Sequence, residues 1–162
     1  MQVLIVDDDV DRQADLTIAF MQAGFQTTST GSQAVAESCI RRGVIDLLVI
    51  AEKVDERLTH SLSLLAEYRN PMVATMLLTA RSDADIEELF LLLPSLHSLV
   101  APDIAPDLIT KLAIASLAGA KNSDGPILLT AEQRTGDRVD VTPIFASARR
   151  FVPGFLAMQK SA

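Results

Sequence analysis

The sequence has a single cysteine and no long apolar run. Cys39 is its only cysteine, so no disulfide can form within the chain and no cysteine cluster can bind zinc. Because Cys39 lies in the apolar-patterned run 34–40, we interpret it as a small buried hydrophobic residue without a chemical role. No apolar run approaches the ~18 residues that a membrane span requires. These absences argue against a disulfide scaffold, a zinc module and a membrane protein.

Positive charge is also scarce. The chain has 14 Lys and Arg against 21 Asp and Glu, a net charge of −7. Binding to nucleic acid or to an anionic membrane needs clustered cationic side chains, and Arg41–Arg42 and Arg149–Arg150 are isolated pairs. The segment 1–9 runs into three aspartates and does not resemble a signal peptide. We therefore expect a cytoplasmic protein that binds neither nucleic acid nor membranes.

Common catalytic and nucleotide-binding motifs are missing. Asp7, Asp8 and Asp9 occupy the turn where a G-x-G-x-x-G loop would be needed, and there is no G-x-S-x-G nucleophile motif. His60 and His97 have no cysteine or second histidine nearby in sequence, so we interpret His60 as a solvated helix residue and neither histidine as a ligand. The sequence predicts a protein that is not an enzyme and needs no cofactor.

Apolar runs of strand length alternate with segments of helical periodicity. In the first helical segment, apolar residues recur at helical spacing and predict a broad apolar face. Its residues are Val10, Ala14, Ile18 and Met21, with Leu16, Ala19, Phe20 and Ala23 widening the stripe. Five strands that alternate with five helices predict a flavodoxin-like, doubly wound α/β fold with a five-stranded parallel sheet. The predicted strands are 3–6, 25–28, 45–50, 72–78 and 96–100, and the predicted helices lie near 10–23, 32–43, 58–70, 82–93 and 106–117.

The carboxyl-terminal part of the chain has a different composition. Residues 1–118 are predicted to form the α/β domain, and 119–126 read as a linker. In the extension 127–162, the runs 127–130 and 139–142 could pair as a hairpin, followed by an apolar helical stretch. We expect this extension to pack on the domain or to serve as a dimerisation arm. It lacks a basic recognition helix, which disfavours DNA reading.

In a parallel α/β sheet, ligands gather at the carboxyl ends of the strands, so the residues there indicate function. Segment 3–9 reads Val-Leu-Ile-Val-Asp-Asp-Asp, and 46–51 reads Asp-Leu-Leu-Val-Ile-Ala. Thr79-Ala80 ends the fourth strand, and 98–102 reads Ser-Leu-Val-Ala-Pro. Over residues 1–118 these motifs resemble the receiver domain of two-component response regulators.

The resemblance implies a site that has lost its phosphorylation chemistry. Asp7 and Asp8 match the acids that hold Mg²⁺ in active receivers, and Thr79 matches the hydroxyl that hydrogen-bonds the phosphoryl group. Ala51 stands at the acceptor aspartate, so no acyl phosphate can form there. The neighbouring Glu52 should point to the opposite face, since strand side chains alternate, and should not substitute for the missing carboxylate.

The fifth strand has lost two further groups. Ala101 replaces the lysine that supplies a charge to the phosphate, and Ser98 replaces the aromatic switch residue, whereas Pro102 is retained. For Asp7 and Asp8 two interpretations stay open. They either favour the positive amino end of the first helix or form a weak remnant of the metal site, so Mg²⁺ binding is expected to be weak or absent.

The resemblance implies a degenerate receiver, or pseudo-receiver, that acts as a phosphorylation-independent signalling adaptor. Its expected partner is a histidine kinase, a phosphotransfer protein or another regulator. One alternative is a divergent receiver that is switched by an unusual ligand, a metal or non-standard phosphorylation. A second alternative is an enzyme on a flavodoxin-like scaffold, since a fold alone does not establish chemistry.

Self-association is a further expectation. Apolar residues lie almost all around the fourth predicted helix, and an exposed apolar patch of this kind usually marks an interface. Receivers commonly pair through the fourth and fifth helices, so we expect a homodimer. In the alternative, the extension covers the patch within one chain. The helix residues concerned are Ile86, Leu89, Phe90, Leu91, Leu92 and Leu93, and the covering residues would be Ile144, Phe145, Phe151, Phe155 and Leu156.

Overall fold

The computed structural model describes residues 1–81, 86–119 and 127–129, with side chains for 1–81 and 88–118. Strands and helices alternate along the chain, which confirms the predicted flavodoxin-like, doubly wound α/β fold. The strands are β1 Gln2–Val6, β2 Gln26–Thr30, β3 Leu47–Ala51, β4 Lys53–Val54, β5 Arg57–Leu58, β6 Ala74–Leu78, β7 Leu96–Val100 and β8 Ile127–Leu129. The helices are α1 Val10–Gln22, α2 Gln33–Arg42, α3 His60–Arg69, α4 Ile86–Leu92 and α5 Pro106–Gly119.

The main sheet has the strand order β2-β1-β3-β6-β7-β8, and every neighbouring pair is parallel. The five predicted strands form its first five positions. A sixth strand, β8, comes from the carboxyl-terminal extension and pairs with β7, placing Ser98 opposite Ile127. The backbone edge of β7, which would end a five-stranded sheet, is therefore paired with a strand of the same chain.

Apolar side chains cover both faces of the sheet, which is why the central strands read as continuous hydrophobic runs. On one face α2, α3 and α4 pack on the sheet, with Ile40, Leu62 and Leu93 buried against it. On the other face α1 and α5 pack together, with Phe20 and Ile109 in the core. The two layers hold the carboxyl ends of the strands at one rim.

Only part of the predicted apolar stripe of α1 is buried. Leu16, Ala19 and Phe20 are buried, whereas Val10 and Ile18 are exposed. Two rows of residues on α1 satisfy helical spacing, and the row that contains Leu16 and Phe20 faces the sheet. The ring of Phe20 makes an edge contact with the ring of Phe25, just before β2. The other row of the predicted stripe, which contains Val10, Ala14, Ile18 and Met21, faces solvent.

A short hairpin stands where the sequence indicated a polar loop. Strands β4 and β5 pair antiparallel, and the turn residues Asp55 and Glu56 have positive φ values of 52° and 59°. The left-handed region is costly for residues with a Cβ, so neighbouring groups must hold this turn. Gln33 of α2 does so by donating from Nε2 to the carbonyls of Val54 and Arg57.

Several sequence predictions fall on residues that the structure does not describe. Residues 82–85, 120–126 and 130–162 lie outside the described residues. They include the predicted start of the fourth helix, the predicted hairpin partner 139–142 and the apolar helical stretch. The described part of the extension, β8, joins the main sheet. Among the described residues, no helix is long and apolar enough to cross a membrane.

Candidate functional site

The residues singled out from the sequence meet at the carboxyl ends of four neighbouring strands. Strand β1 leads to Asp7 and Asp8, β3 ends at Ala51, β6 leads to Thr79, and β7 leads to Ala101. In the main sheet, the chain continues from β1 to β2 on one side and from β3 to β6 on the other. A topological switch point therefore falls between β1 and β3. This is the rim at which a flavodoxin-like fold carries its site.

Asp7 is fully buried, and its carboxylate is neutralised by Arg12 of α1. Arg12 Nε lies 2.5 Å from Asp7 Oδ2, and Arg12 Nη2 donates to Asp7 Oδ1 at 2.7 Å. The backbone N–H of Asp9 donates to the same Oδ1 at 3.0 Å. The hydrogen bond and the neighbouring carboxylates raise the pKa of the Arg12 guanidinium, although burial opposes the rise. Asp7 and Arg12 thus form a bidentate ion pair.

The second acid, Asp8, is tied to the β4–β5 hairpin. Its Oδ2 accepts a hydrogen bond of 3.0 Å from the backbone N–H of Asp55, the first residue of the turn with positive φ. The Asp8 carboxylate therefore helps to hold the strained turn, and it connects the end of β1 to the segment after β3. Asp9 begins α1, since its side chain accepts from the N–H of Arg12.

The acceptor position is a methyl group within the core. Ala51 is buried and packs with Val54, Leu62 and other residues on the α2–α3–α4 side of the sheet. Its carbonyl accepts a 2.6 Å hydrogen bond from the Thr59 hydroxyl, which fixes the chain just before α3. At position 51 there is accordingly no side-chain oxygen to accept a phosphoryl group.

Glu52 corrects the alternation argument made from the sequence. Strand β3 ends at Ala51, so pleat alternation no longer sets the direction of the next side chain. The Glu52 carboxylate lies at the site: Thr79 Oγ1 donates to its Oε2 at 2.5 Å, and Arg81 Nε lies 2.5 Å from its Oε1. The Arg81 contact is an ion pair without hydrogen-bond geometry at Oε1. Thr79 thus contacts a carboxylate of its own chain.

Strand β7 contributes little polarity to the site. Ser98 is buried, and its Oγ has no hydrogen-bond partner among the described residues. Ala101 is half-buried against the α1–α5 side of the core, and Pro102 follows it at the rim. These residues occupy the expected strand end, but none of them carries a cation or an aromatic ring.

The donor set does not fit a magnesium ion. Mg²⁺ prefers near-octahedral coordination by oxygen, usually with one or two carboxylates. Both oxygens of Asp7 contact Arg12, one oxygen of Asp8 accepts from a backbone N–H, and position 51 has no carboxylate. Within the described part of the chain, no group of three or more His, Cys, Asp or Glu residues could hold a metal.

His60, the first residue of α3, is not the solvated histidine that the sequence suggested. Its Nε2 is buried and has no hydrogen-bond partner in the described structure. Burial lowers the pKa of His60, with a further lowering from Arg81 and an opposing contribution from Glu52. The lowered pKa indicates that the folded protein disfavours the charged imidazolium at this position.

The sequence motifs did not predict two contacts of the site: the ion pair of Asp7 with Arg12, and the contacts of Glu52 with Thr79 and Arg81. Arg12 lies five residues after Asp7, across the start of α1, where a carboxylate and a guanidinium can meet. That spacing was a usable signal. Arg81 lies two residues after Thr79, but nothing in the sequence indicates that Glu52, 27 residues before Thr79, reaches them both.

Replacing Arg12 by Met should destabilise the protein by about 2–4 kcal/mol, because it leaves the buried Asp7 carboxylate without its cation. The matched control is Arg41→Gln, which breaks an exposed helical ion pair with Glu37 and should cost less than about 0.5 kcal/mol. Urea unfolding at pH 7 measures both. Equal losses in the two variants would show that Asp7 does not depend on Arg12.

Stability should also depend on the protonation of His60. The pKa of His60 is lowered by folding, so the unfolded chain takes up the proton first, near the ordinary value of 6.5. Its stability contribution is therefore complete above pH 6.5 and is lost as the pH falls through the folded-state pKa. The difference in unfolding free energy between wild type and His60→Gln should shift against wild type on acidification. A difference that is independent of pH contradicts this.

Comparison with known proteins gives a likeness in structure only. No protein-family model matches the sequence, and no curated protein matches it. A receiver domain from Methanospirillum hungatei JF-1 has a TM-score of 0.65 at 14% identity, over 74% of this chain and 95% of that one. The chemotaxis protein CheY4 of Vibrio cholerae has a TM-score of 0.64 at 12% identity, over 72% and 98%.

A third structure is the receiver domain of DrrB from Thermotoga maritima in its BeF3-activated form. It has a TM-score of 0.59 at 14% identity, over 72% of this chain and 97% of that one. Identities this low establish the fold and nothing finer. The arrangement of strands and helices, together with these neighbours, shows that the chain has a receiver-like domain with the fold of CheY-like response regulators.

Proposed function

We propose that this protein is a cytoplasmic, non-enzymatic signalling adaptor that acts by protein–protein interaction without being phosphorylated at its receiver site. The proposal is carried by one observation: the acceptor position is the methyl group of Ala51, and the acids beside it are bonded to protein groups. Phosphoryl transfer needs an acceptor carboxylate and cations that neutralise the phosphoryl oxygens. In this chain, Arg12 neutralises Asp7, and a backbone N–H donates to Asp8.

The missing groups on β7 support the same proposal. A receiver that responds to phosphorylation needs a charge that anchors the phosphate and a side chain that reports the change. Ala101 supplies no charge. Ser98 is a small side chain within the core, with no ring to move. The chain therefore retains the architecture of a receiver and carries neither its anchor nor its readout.

An exposed face on α1 supports the adaptor role. Val10, Ile18 and Met21 are each more than half exposed, and Ala14 lies between them on the same face. The apolar stripe is unpartnered within the described structure, as expected for a surface that packs against another protein. A histidine kinase, a phosphotransfer protein or another regulator is the proposed partner.

Phosphodonor treatment tests the proposed function directly. Incubation with acetyl phosphate and Mg²⁺ should leave the intact mass unchanged, and beryllofluoride with Mg²⁺ should leave the amide NMR spectrum unchanged, because Ala51 offers no oxygen for either reagent. A receiver with an intact acceptor aspartate is the positive control. A gain of one phosphate, or saturable shifts at the strand ends, refutes the proposal and favours a divergent receiver with a different acceptor.

We also propose that the protein is a homodimer that uses α4 and α5. The apolar excess on α4 is smaller than the sequence indicated, since Leu89 and Leu93 are buried in the core. Leu91 is 83% exposed and Leu92 55%, and Ile114 of α5 is also exposed. Because β8 is paired to β7, the backbone edge of β7 is not free to pair with a second copy, and the proposed contact is between helix faces.

Light scattering tests the dimer. At micromolar concentration the full chain should have a mass of about 35 kDa, twice the 17.5 kDa of one chain. Leu91→Glu should shift it to a monomer, because a charge on an exposed apolar contact is costly to bury. Leu64→Glu, a similar change on α3, should leave the mass unchanged. A monomeric wild type contradicts the dimer and favours cover by the chain's own extension.

A further inference from the structure

Glu52 is an unusual residue for its position, because it is a carboxylate drawn under the rim of the site. Its side chain is only 12% exposed. Burying a carboxylate is costly unless cations or hydrogen-bond donors surround it. The Thr79 hydroxyl and the Arg81 guanidinium provide both, each at 2.5 Å. We call these three residues the Glu52 network.

The backbone holds the Glu52 network from both sides. The N–H of Glu52 donates to the carbonyl of Leu78 at the end of β6, and the N–H of Thr59 donates to the carbonyl of Glu52. The Thr79 hydroxyl is used twice, since it donates to Glu52 and accepts from the backbone N–H of Arg81 at 3.1 Å. A carboxylate after β3 thereby determines the direction of the chain after β6.

His60 does not compete for this carboxylate at neutral pH. Burial and the charge of Arg81 lower the pKa of the imidazole, so the neutral form prevails. The Glu52 carboxylate therefore contacts one cation, the Arg81 guanidinium, and one hydroxyl, that of Thr79. In the Glu52 network, the negative charge of Glu52 is matched by the positive charge of Arg81, and the Thr79 hydroxyl donates to the carboxylate.

The resemblance to receivers implies that this threonine hydroxyl binds an oxygen of the phosphoryl group. We propose that the Glu52 carboxylate takes the place of that phosphoryl group within the chain, holding Thr79 and Arg81 in one arrangement that no phosphorylation is needed to produce. The proposal rests on the proposed function and adds its mechanism: the surface that the adaptor presents is constitutive. Glu52 acts here as a positioning residue.

Amide hydrogen exchange followed by NMR on the full chain tests this role. In Glu52→Gln, the amide of Arg81 should exchange about tenfold faster or more, because the charged acceptor that holds the Thr79 hydroxyl is lost and this hydroxyl is the acceptor of the Arg81 N–H. Thr79→Val, which is nearly isosteric, should have the same effect because it removes the acceptor of the Arg81 N–H. Thr79→Ser keeps the hydroxyl and should exchange like wild type.

The matched control is Glu56→Gln, the same chemical change at an exposed position of the β4–β5 turn, which should leave the Arg81 amide unchanged. Exchange in Glu52→Gln at the wild-type rate would overturn the proposal, even where Thr79→Val exchanges faster. Phosphodonor treatment of the same samples distinguishes a failure of this proposal from a failure of the proposed function. A mass gain in wild type defeats the proposed function, whereas unaltered exchange in Glu52→Gln defeats the role of Glu52 whatever the mass.

Discussion

A buried aspartate needs positive charge, and the rim of this domain is organised around that need. Asp7 lies at the end of the central strand β1, out of contact with water, where an unpaired carboxylate is strongly unfavourable. Arg12 reaches it from the first turn of α1 with two nitrogen contacts. The same pair connects the end of β1 to the start of α1 and orients both. The ion pair therefore fixes the first turn of α1 against the end of β1.

The second pair follows the same physical rule one strand further along. The ion pair of Glu52 and Arg81 joins the chain segments after β3 and β6. The Thr79 hydroxyl donates to Glu52 and accepts from the backbone N–H of Arg81. In an active receiver, a divalent cation and a lysine would balance the acids and the phosphate. Arginine is suited to replace them because its planar guanidinium contacts carboxylates at fixed geometry and stays charged at any physiological pH. In this chain both acids are balanced by arginines of the same chain.

The exposed apolar residues are consistent with a domain whose surface, rather than its site, carries the function. The stripe on α1 lies next to the acids of the rim, and the exposed leucines of α4 lie on the opposite layer of the sheet. Strand β8 adds a further constraint, since it occupies the backbone edge of β7. In the proposed function, the stripe on α1 binds a partner and the leucines of α4 bind a second copy of the chain.

Periodicity in the sequence determined the order of strands and helices, because buried parallel strands and amphipathic helices leave different repeats in the chain. The sequence also determined that position 51, the last residue of β3, carries no carboxylate, because Ala51 has only a methyl side chain whatever the packing. Only the tertiary structure decided which stripe of α1 is buried, because two stripes satisfy the same repeat and the sheet selects one. It also decided that Glu52 meets Thr79 and Arg81. Strand alternation stops where the strand stops, and contacts between residues far apart in the sequence form only when β3 and β6 lie side by side.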